Sequence, residues 1–480
     1  MASITSISPA AFDDGKPVTL TGSGFGASQG SVLIGGVAQN VNAWSDTSIS
    51  FGAVRGLQPL GACRVDVVSS PSAPVTMQSS VTQYGITWTF DTTYPVGQFC
   101  NGDYFVVGPV TITGITRPLG VSTQDGSMIN PTSGASVSQG FDSRLQDSSY
   151  SAGLNIANSL PYTVAVNTSV VSALSEAALT NSFYYLDTVA VLTVLSVAPP
   201  TGAFRPPYVG ADKTIRFTES ALSYGFLPNL TSVTGAPTLA TSSAAFEKPW
   251  IEIKTNWQGR YWHPTVNQPG YGADMSEAVQ SALLRLCIFA SNAEKRDLLV
   301  RLVQYGLDVY GAALTGTTWN ADGGHNLGRK GPLLLAGLAL SNANILAYAD
   351  KAMHFIFQED QQTFYVAQAD VDRGVGYVTG DIGTPEWGRT HSSNPGAWDT
   401  PSWTALYRGI NGSALVGTAL FVNMVGARAN WNWAPFFDYH DRFMAYELGP
   451  SGPVDASNPT PTFVKNMWTT YRTSYPPVWS

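Results

Sequence analysis

The stretch Trp319-Asn-Ala-Asp322-Gly-Gly-His325-Asn326-Leu-Gly-Arg329-Lys330 runs straight into Gly-Pro332-Leu-Leu-Leu-Ala-Gly-Leu-Ala-Leu340. These first twelve residues hold two cations, a histidine, an aspartate, a tryptophan and three glycines, and an apolar run follows at once. Gly323-Gly324 breaks a helix and lets backbone come close to a neighbour. Pro332 suits the first turn of a helix. The pattern therefore predicts a loop of chemistry-bearing side chains delivered to the start of a buried helix, the arrangement in which catalytic groups concentrate. A plain interhelical turn, with His325 satisfying backbone groups, is the competing reading.

Outward from this stretch the helical pattern continues. Residues 273–290 place Ala278, Val279, Ala282, Leu283, Leu286 and Phe289 at helical spacing, and residues 295–313 repeat it with Leu298, Leu299, Leu302, Val303 and Val309. Further helices are expected at 332–341, 343–357, 402–427 and 433–447. The loops between them, 315–331 and 358–401, are too long for a plain bundle. They suit helical hairpins whose loops gather over a cleft.

Toward the N-terminus the period changes to two. Val18-Thr-Leu20, Ser31-Val-Leu-Ile34, Ser48-Ile-Ser-Phe51 and Arg64-Val-Asp-Val-Val68 are short strands between Gly-, Asp- and Ser-rich turns. Gly22-Ser-Gly-Phe-Gly26 lies between two of them and reads as a structural turn, not a phosphate loop. Residues 84–200 continue as strands, with the Asn101-Gly102 turn before Tyr104-Phe-Val-Val107 and the apolar run Val189-Ala-Val-Leu-Thr-Val-Leu-Ser-Val197. The Pro-rich 198–207 reads as a boundary. The expected organisation is 1–83 a β-sandwich, 84–205 a second β-sandwich, 206–248 a packed connector and 249–480 an all-α unit able to fold separately.

Composition limits the function. Only 12% of the 480 residues are charged and 11% are aromatic, with 47 glycines, a mixture suited to β modules and glycan surfaces. The net charge of −8, without basic blocks, argues against nucleic acid. Cys63, Cys100 and Cys287 have neither metal nor disulfide spacing and read as buried thiols. No apolar run reaches the roughly 18 residues of a membrane span, and no signal peptide is visible at Met1-Ala-Ser-Ile-Thr-Ser. The expected setting is extracellular or on a virus particle.

Ile4 to Pro9, Val18 to Gly26, Val32 to Gly36, Trp44-Ser-Asp-Thr-Ser-Ile49 and Gly61 together resemble the immunoglobulin-like IPT/TIG module. The resemblance implies a spacer, assembly or binding domain at the N-terminus. In layout and loop chemistry, 249–480 resembles the (α/α) toroids of polysaccharide lyases and some glycoside hydrolases.

Three loop clusters carry the chemistry. The first is Trp257-Gln-Gly-Arg260-Tyr261-Trp262-His263, the second is 319–330, and the third holds Arg373, Tyr377, Glu386, Arg389, His391 and Trp398. Aromatic faces stack on sugars, and Arg or Asn fork onto carboxylates and hydroxyls. β-Elimination needs a base, a neutraliser for the uronate carboxylate and an acid for the leaving oxygen. The toroid resemblance implies His or Tyr, Asn or Arg, and Tyr for these roles. Where alginate-lyase-like sites carry a doubled Asn before the His, this chain has Gly323-Gly324, and Arg329, Lys330 and Arg389 offer charge instead.

The expected catalytic set is His325, Arg329, Tyr377, His391 and Tyr261. Trp257, Arg260, His263, Trp319, Asn326, Lys330, Arg373, Glu386, Arg389 and Trp398 are expected to bind substrate, an acidic polysaccharide, with no metal or cofactor. Two other readings stay open: a hydrolase using two of Asp274, Glu277, Asp322, Asp381, Glu386 and Asp399, and a glycan-binding adhesin without catalysis. His354 and His440 read as structural.

Overall fold

The computed structural model describes residues 3–10, 16–26, 30–34, 37–52, 65–68, 72–116, 125–141, 148–175, 186–256, 259, 273–321, 323–388, 400–403 and 408–475. Strands β1 (Ser3–Ser8), β2 (Pro17–Ser23), β3 (Ser31–Ile34), β4 (Val37–Ala38), β5 (Asn40–Trp44), β6 (Ser48–Gly52) and β7 (Val65–Val68) form two small sheets, ordered β1-β2-β6-β5 and β4-β3-β7. Alternation sends Val18, Leu20, Ile49 and Phe51 inward onto Phe25, Val32 and Ile34, giving the module its own core. The glycine turn is structural, as expected. A Cβ on Gly22 would lie 2.0 Å from the Ser3 carbonyl oxygen, and the Trp44 indole N–H donates to the Gly26 carbonyl at 2.9 Å.

Strands β8 (Thr76–Gln83), β9 (Ile86–Gln98), β10 (Tyr104–Val107), β11 (Val110–Ile115), β12 (Gly126–Ile129), β13 (Tyr162–Val164), β14 (Thr168–Ser175) and β15 (Leu186–Leu195) form one eight-stranded sheet, ordered β12-β14-β15-β10-β9-β11-β13 with β8 on β9. One face carries Trp88, Val106, Ile112, Val170, Ala190, Leu192 and Val194 into a core of the sheet's own. The opposite face of β14 and β15, with Val171, Ala173, Val189 and Val191, joins the helical core around Leu283, Leu302 and Leu334. A strand covered on both faces has no solvent side, so its sequence reads as a continuous apolar run. Among the described residues, a single sheet stands in place of a separate second sandwich, and one wall of it belongs to the helices. The compositional break near 205 is not an end of the core. Tyr208, Val209, Leu227 and Phe246 carry that core through the connector.

The helices are α1 (Leu239–Ala244), α2 (Ala273–Cys287), α3 (Asn292–Leu314), α4 (Lys330–Ala339), α5 (Ala343–Ala349), α6 (Gln358–Gln361), α7 (Gln368–Asp372), α8 (Arg408–Ser413), α9 (Val416–Met424), α10 (Arg428–Trp431), α11 (Ala434–Glu447) and α12 (Thr462–Tyr471). Ser291-Asn-Ala-Glu294 starts α3 with a capping box: the Glu294 N–H donates to Ser291 Oγ at 3.3 Å, and the Ser291 N–H to Glu294 Oε2 at 2.8 Å. The helix expected at 343–357 ends early, because Asp350 turns extended (φ −75°, ψ 113°). Strands β16 (Thr363–Tyr365) and β17 (Pro385–Trp387) pair antiparallel beside α11. Among the described residues, no helix is long and apolar enough to cross a membrane.

Candidate active site

The turn before α4 is built on close backbone approach. Gly323 and Gly328 adopt φ of +63° and +89°, values that cost a side chain dearly. A Cβ on Gly328 would stand 2.9 Å from Ser276 Cα of α2, and one on Gly324 would stand 2.7 Å from Asn411 Oδ1 of α8. The first N–H groups of a helix have no partner within it and attract negative charge. Here Glu359 supplies it: its Oε1 accepts from Gly328, Arg329 and Lys330 N–H at 3.0, 3.0 and 3.2 Å.

The cations of the turn point inward. Arg329 is 3% exposed, and its Nε donates to Glu252 Oε1 at 3.1 Å. The same carboxylate accepts from Trp319 Nε1 at 2.7 Å and from the Tyr305 hydroxyl at 2.9 Å. Lys330 is fully buried, with its Nζ 2.7 and 2.6 Å from the two Asp360 oxygens and 4.3 Å from the centre of the Trp431 ring. Asn326 Nδ2 donates to the carbonyls of Thr255 and Asn320, both at 2.9 Å. The expectation that Trp319, Asn326, Arg329 and Lys330 line an open cleft is corrected. A buried cation must have a buried counter-charge, and Glu252, Glu359 and Asp360 provide it from distant positions in the chain.

His325 differs. Among the described residues of 323–330 it is the one side chain not buried. Its neighbours are held tightly: Gly323 O accepts from Gln358 Nε2, Gln362 Nε2 and Asn411 Nδ2 at 3.0, 2.7 and 2.8 Å. The imidazole thus stands at the rim of a rigid platform.

Helix α8 links this platform to a second cluster. Three residues before Asn411, Arg408 Nη2 donates to Glu386 Oε2 and to the Thr400 carbonyl, both at 2.8 Å. Arg442 Nη1 also donates to Glu386. Trp403 covers both guanidinium groups, with its ring centre 4.8 Å from Arg408 Cζ and 5.0 Å from Arg442 Cζ, and is itself stacked on Tyr446 at 4.4 Å. Tyr377 and Tyr439 are buried and lie in the electrostatic field of Arg408. Burial pushes the Tyr439 hydroxyl up to about 12, against the pull of Arg408. Glu386 is therefore engaged inward, while Arg373 is exposed at the end of α7.

Residues that flank the first and third sequence clusters reach this region: Thr255 through Asn326, and Thr400 through Arg408. Trp257, Arg260, Tyr261, His263, Asp322, Arg389, His391, Trp398 and Asp399 lie outside the described residues. Of the other carboxylates weighed for hydrolysis, Asp381 accepts from the Val378 N–H. Glu277, in the first turns of α2, is pushed up to about 7 by burial and then by Asp274.

Sequence reading passed over Glu252, Glu359, Asp360, Trp403, Tyr439 and Arg442. One signal was available. Gln358-Glu-Asp-Gln-Gln362 is five polar residues in a row in a charge-poor chain, and all five are buried.

His440 is structural in its surroundings. Its Nδ1 faces the Phe436 carbonyl at 2.5 Å, and because a carbonyl can only accept, Nδ1 carries the proton. Burial lowers its pKa from 6.5 to about 4. Above pH 6.5 both folded and unfolded forms are neutral. As pH falls from 6.5 to 4 the unfolded chain takes up the proton first, so stability should drop by about 3 kcal/mol in total. Urea midpoints of His440→Gln should change less than those of the parent between pH 7 and 4.5. Parallel curves would show that His440 is not a source of acid sensitivity.

Residues 2–94 match the family model of the IPT/TIG domain and form such a domain. The match runs past the two small sheets into β8 and the first part of β9. No curated protein matches the chain.

Proposed function

We propose that the helical half is a depolymerase of an acidic, uronate-containing polysaccharide, acting by β-elimination on a toroid-like scaffold. The IPT/TIG domain then serves as a spacer or assembly module on a secreted protein or a virus-borne depolymerase. The observation that carries the reading is the link through α8 between a half-open His325 and a cluster of buried Arg408, Tyr377 and Tyr439 with the partly exposed Arg442. In such a reaction the His325 imidazole removes the proton beside the uronate carboxylate. The electron pair becomes the new ring double bond, the C–O bond to the next sugar breaks, and the leaving oxygen takes a proton from a phenol, for which Tyr377 is the first candidate. Guanidinium groups stabilise the charge that develops on the carboxylate.

Incubation with a panel of uronate polymers should release products that absorb in the ultraviolet as unsaturated uronates. His325→Ala should lower kcat by roughly 10²-fold or more without shifting the melting temperature. A large loss of stability with unchanged turnover would return His325 to a packing role. New reducing ends without that absorbance would favour hydrolysis, for which Glu277, held near 7, is a suitable acid. Binding without any cleavage would favour a glycan-binding protein.

A further inference from the structure

We infer that Arg408, with Arg442 and Tyr439, forms a receptor for one carboxylate of a hexuronate unit, a subsite that fixes which sugars the depolymerase accepts. The inference rests on the proposed function only for the identity of the occupant. The site itself rests on hydrogen-bonding capacity and charge.

Arg408 is fully buried; Nη2 of its guanidinium serves Glu386 and the Thr400 carbonyl, and the Tyr439 hydroxyl stands within reach of the group. Its Nε and Nη1 are buried and have no hydrogen-bond partner among the described residues. Buried donors in folded proteins nearly always have partners, and a charged group left short of them marks a strained or functional position. Arginine cannot escape by losing its proton. The Tyr439 hydroxyl can take one of the spare N–H groups, and the rest need acceptors brought from elsewhere.

The charge balance points the same way. Among the described residues, Glu386 is the one carboxylate paired with two guanidinium groups, Arg408 and Arg442. The nearby acids of α11 are engaged elsewhere: Asp438 by Arg428 at 3.4 Å and Asp441 by Arg472 at 2.5 Å. These described groups leave one positive charge over. Tyr439, neutral across the physiological range, adds a buried hydroxyl beside Arg408. The approach is from Arg442, whose side chain is 34% exposed while its partner Glu386 is 1% exposed. Trp403, half buried, extends an aromatic face over both guanidinium groups. A cation pair short of one anion, with donors to spare and an indole alongside, suits a carboxylate carried on a sugar ring.

The test is binding without turnover. The full-length protein is titrated calorimetrically with sodium glucuronate, with glucose and with sodium sulfate. Glucuronate should bind and glucose should not. Arg408→Lys keeps the charge but removes the fork of donors, and should weaken glucuronate binding tenfold or more. Equal binding of glucose and glucuronate, or unchanged affinity in Arg408→Lys, overturns the inference. If sulfate binds as tightly as glucuronate and loses as much in Arg408→Lys, the site serves any small oxyanion and the uronate assignment is overturned. Should Arg408→Lys show no folding transition, Tyr439→Phe takes its place, with a severalfold weaker affinity expected and an unchanged one overturning the inference. Glucuronate binding with no cleavage of any polymer would sink the lyase reading and keep this one. Cleavage with KM unaltered in Arg408→Lys would do the reverse.

Discussion

Arg329→Ala is expected to lower the free energy of unfolding by about 3–5 kcal/mol, the usual consequence of stripping one partner from a buried ion pair. Glu252 would keep its bonds from Tyr305 and Trp319 but would lose its counter-charge in a site with no exposure. The loss should reach the candidate site as well, because Arg329 Nη1 donates to the carbonyls of His325 and Leu327 at 3.2 and 2.7 Å. Activity and stability should therefore fall together, whereas His325→Ala should separate them. Arg329→Lys keeps the charge without the fork and should fall between. Urea denaturation followed by far-ultraviolet circular dichroism measures all three. An Arg329→Ala protein that melts like its parent while losing activity would put this guanidinium back among ligand-binding groups.

Arg205→Ala is expected to be as damaging, again about 3–5 kcal/mol, at the seam between sheet and helices. The Arg205 Nε donates to Asp103, which precedes β10, at 2.5 Å. Its Nη1 and Nη2 fork onto Asp308 of α3 at 2.9 and 2.5 Å. Without it two buried carboxylates, 1% and 2% exposed, are left without their cation. The pH dependence has a defined sign. Burial raises the Asp308 pKa even with Arg205 beside it, and removing the guanidinium should raise it further. The folded variant then holds a proton that the unfolded chain has already released, so its stability should fall as pH rises above the ordinary carboxylate range. The variant should be most deficient at neutral pH and recover part of the loss in mild acid. Because sheet and helices share a core, they should still unfold in one transition. Two separate transitions for the sheet and the helical half would show that the shared core does not couple them.

Much of the fold was legible as local pattern. Period-two alternation located β2, β3 and β6, and the quoted IPT/TIG residues lie in a region that the family model matches. Helical spacing located α2, α3, α4 and α11 within a few residues. These follow from the chain's own geometry, since side-chain direction repeats every two residues in a strand and every 3.6 in a helix. The run at 189–197 was legible as a buried strand, but not as a wall shared with helices, because nothing local says what covers its second face.

The candidate site divides in the same way. The gathering of His325, Arg329, Lys330 and Trp319 on one turn before a buried helix was written in the order of residues, and glycine at 323 and 328 was needed for that turn. Which of these side chains would be spent on structure was decided only by tertiary packing. Arg329 meets Glu252 from 77 positions away and Lys330 meets Asp360 from 30 away. The cost of burying a charge depends on the partner that folding brings beside it, not on its neighbours in sequence. His325 kept partial exposure where its neighbours in the turn are buried, and Arg408 reached Glu386 because α8 carries Asn411 and Arg408 to two different clusters at once.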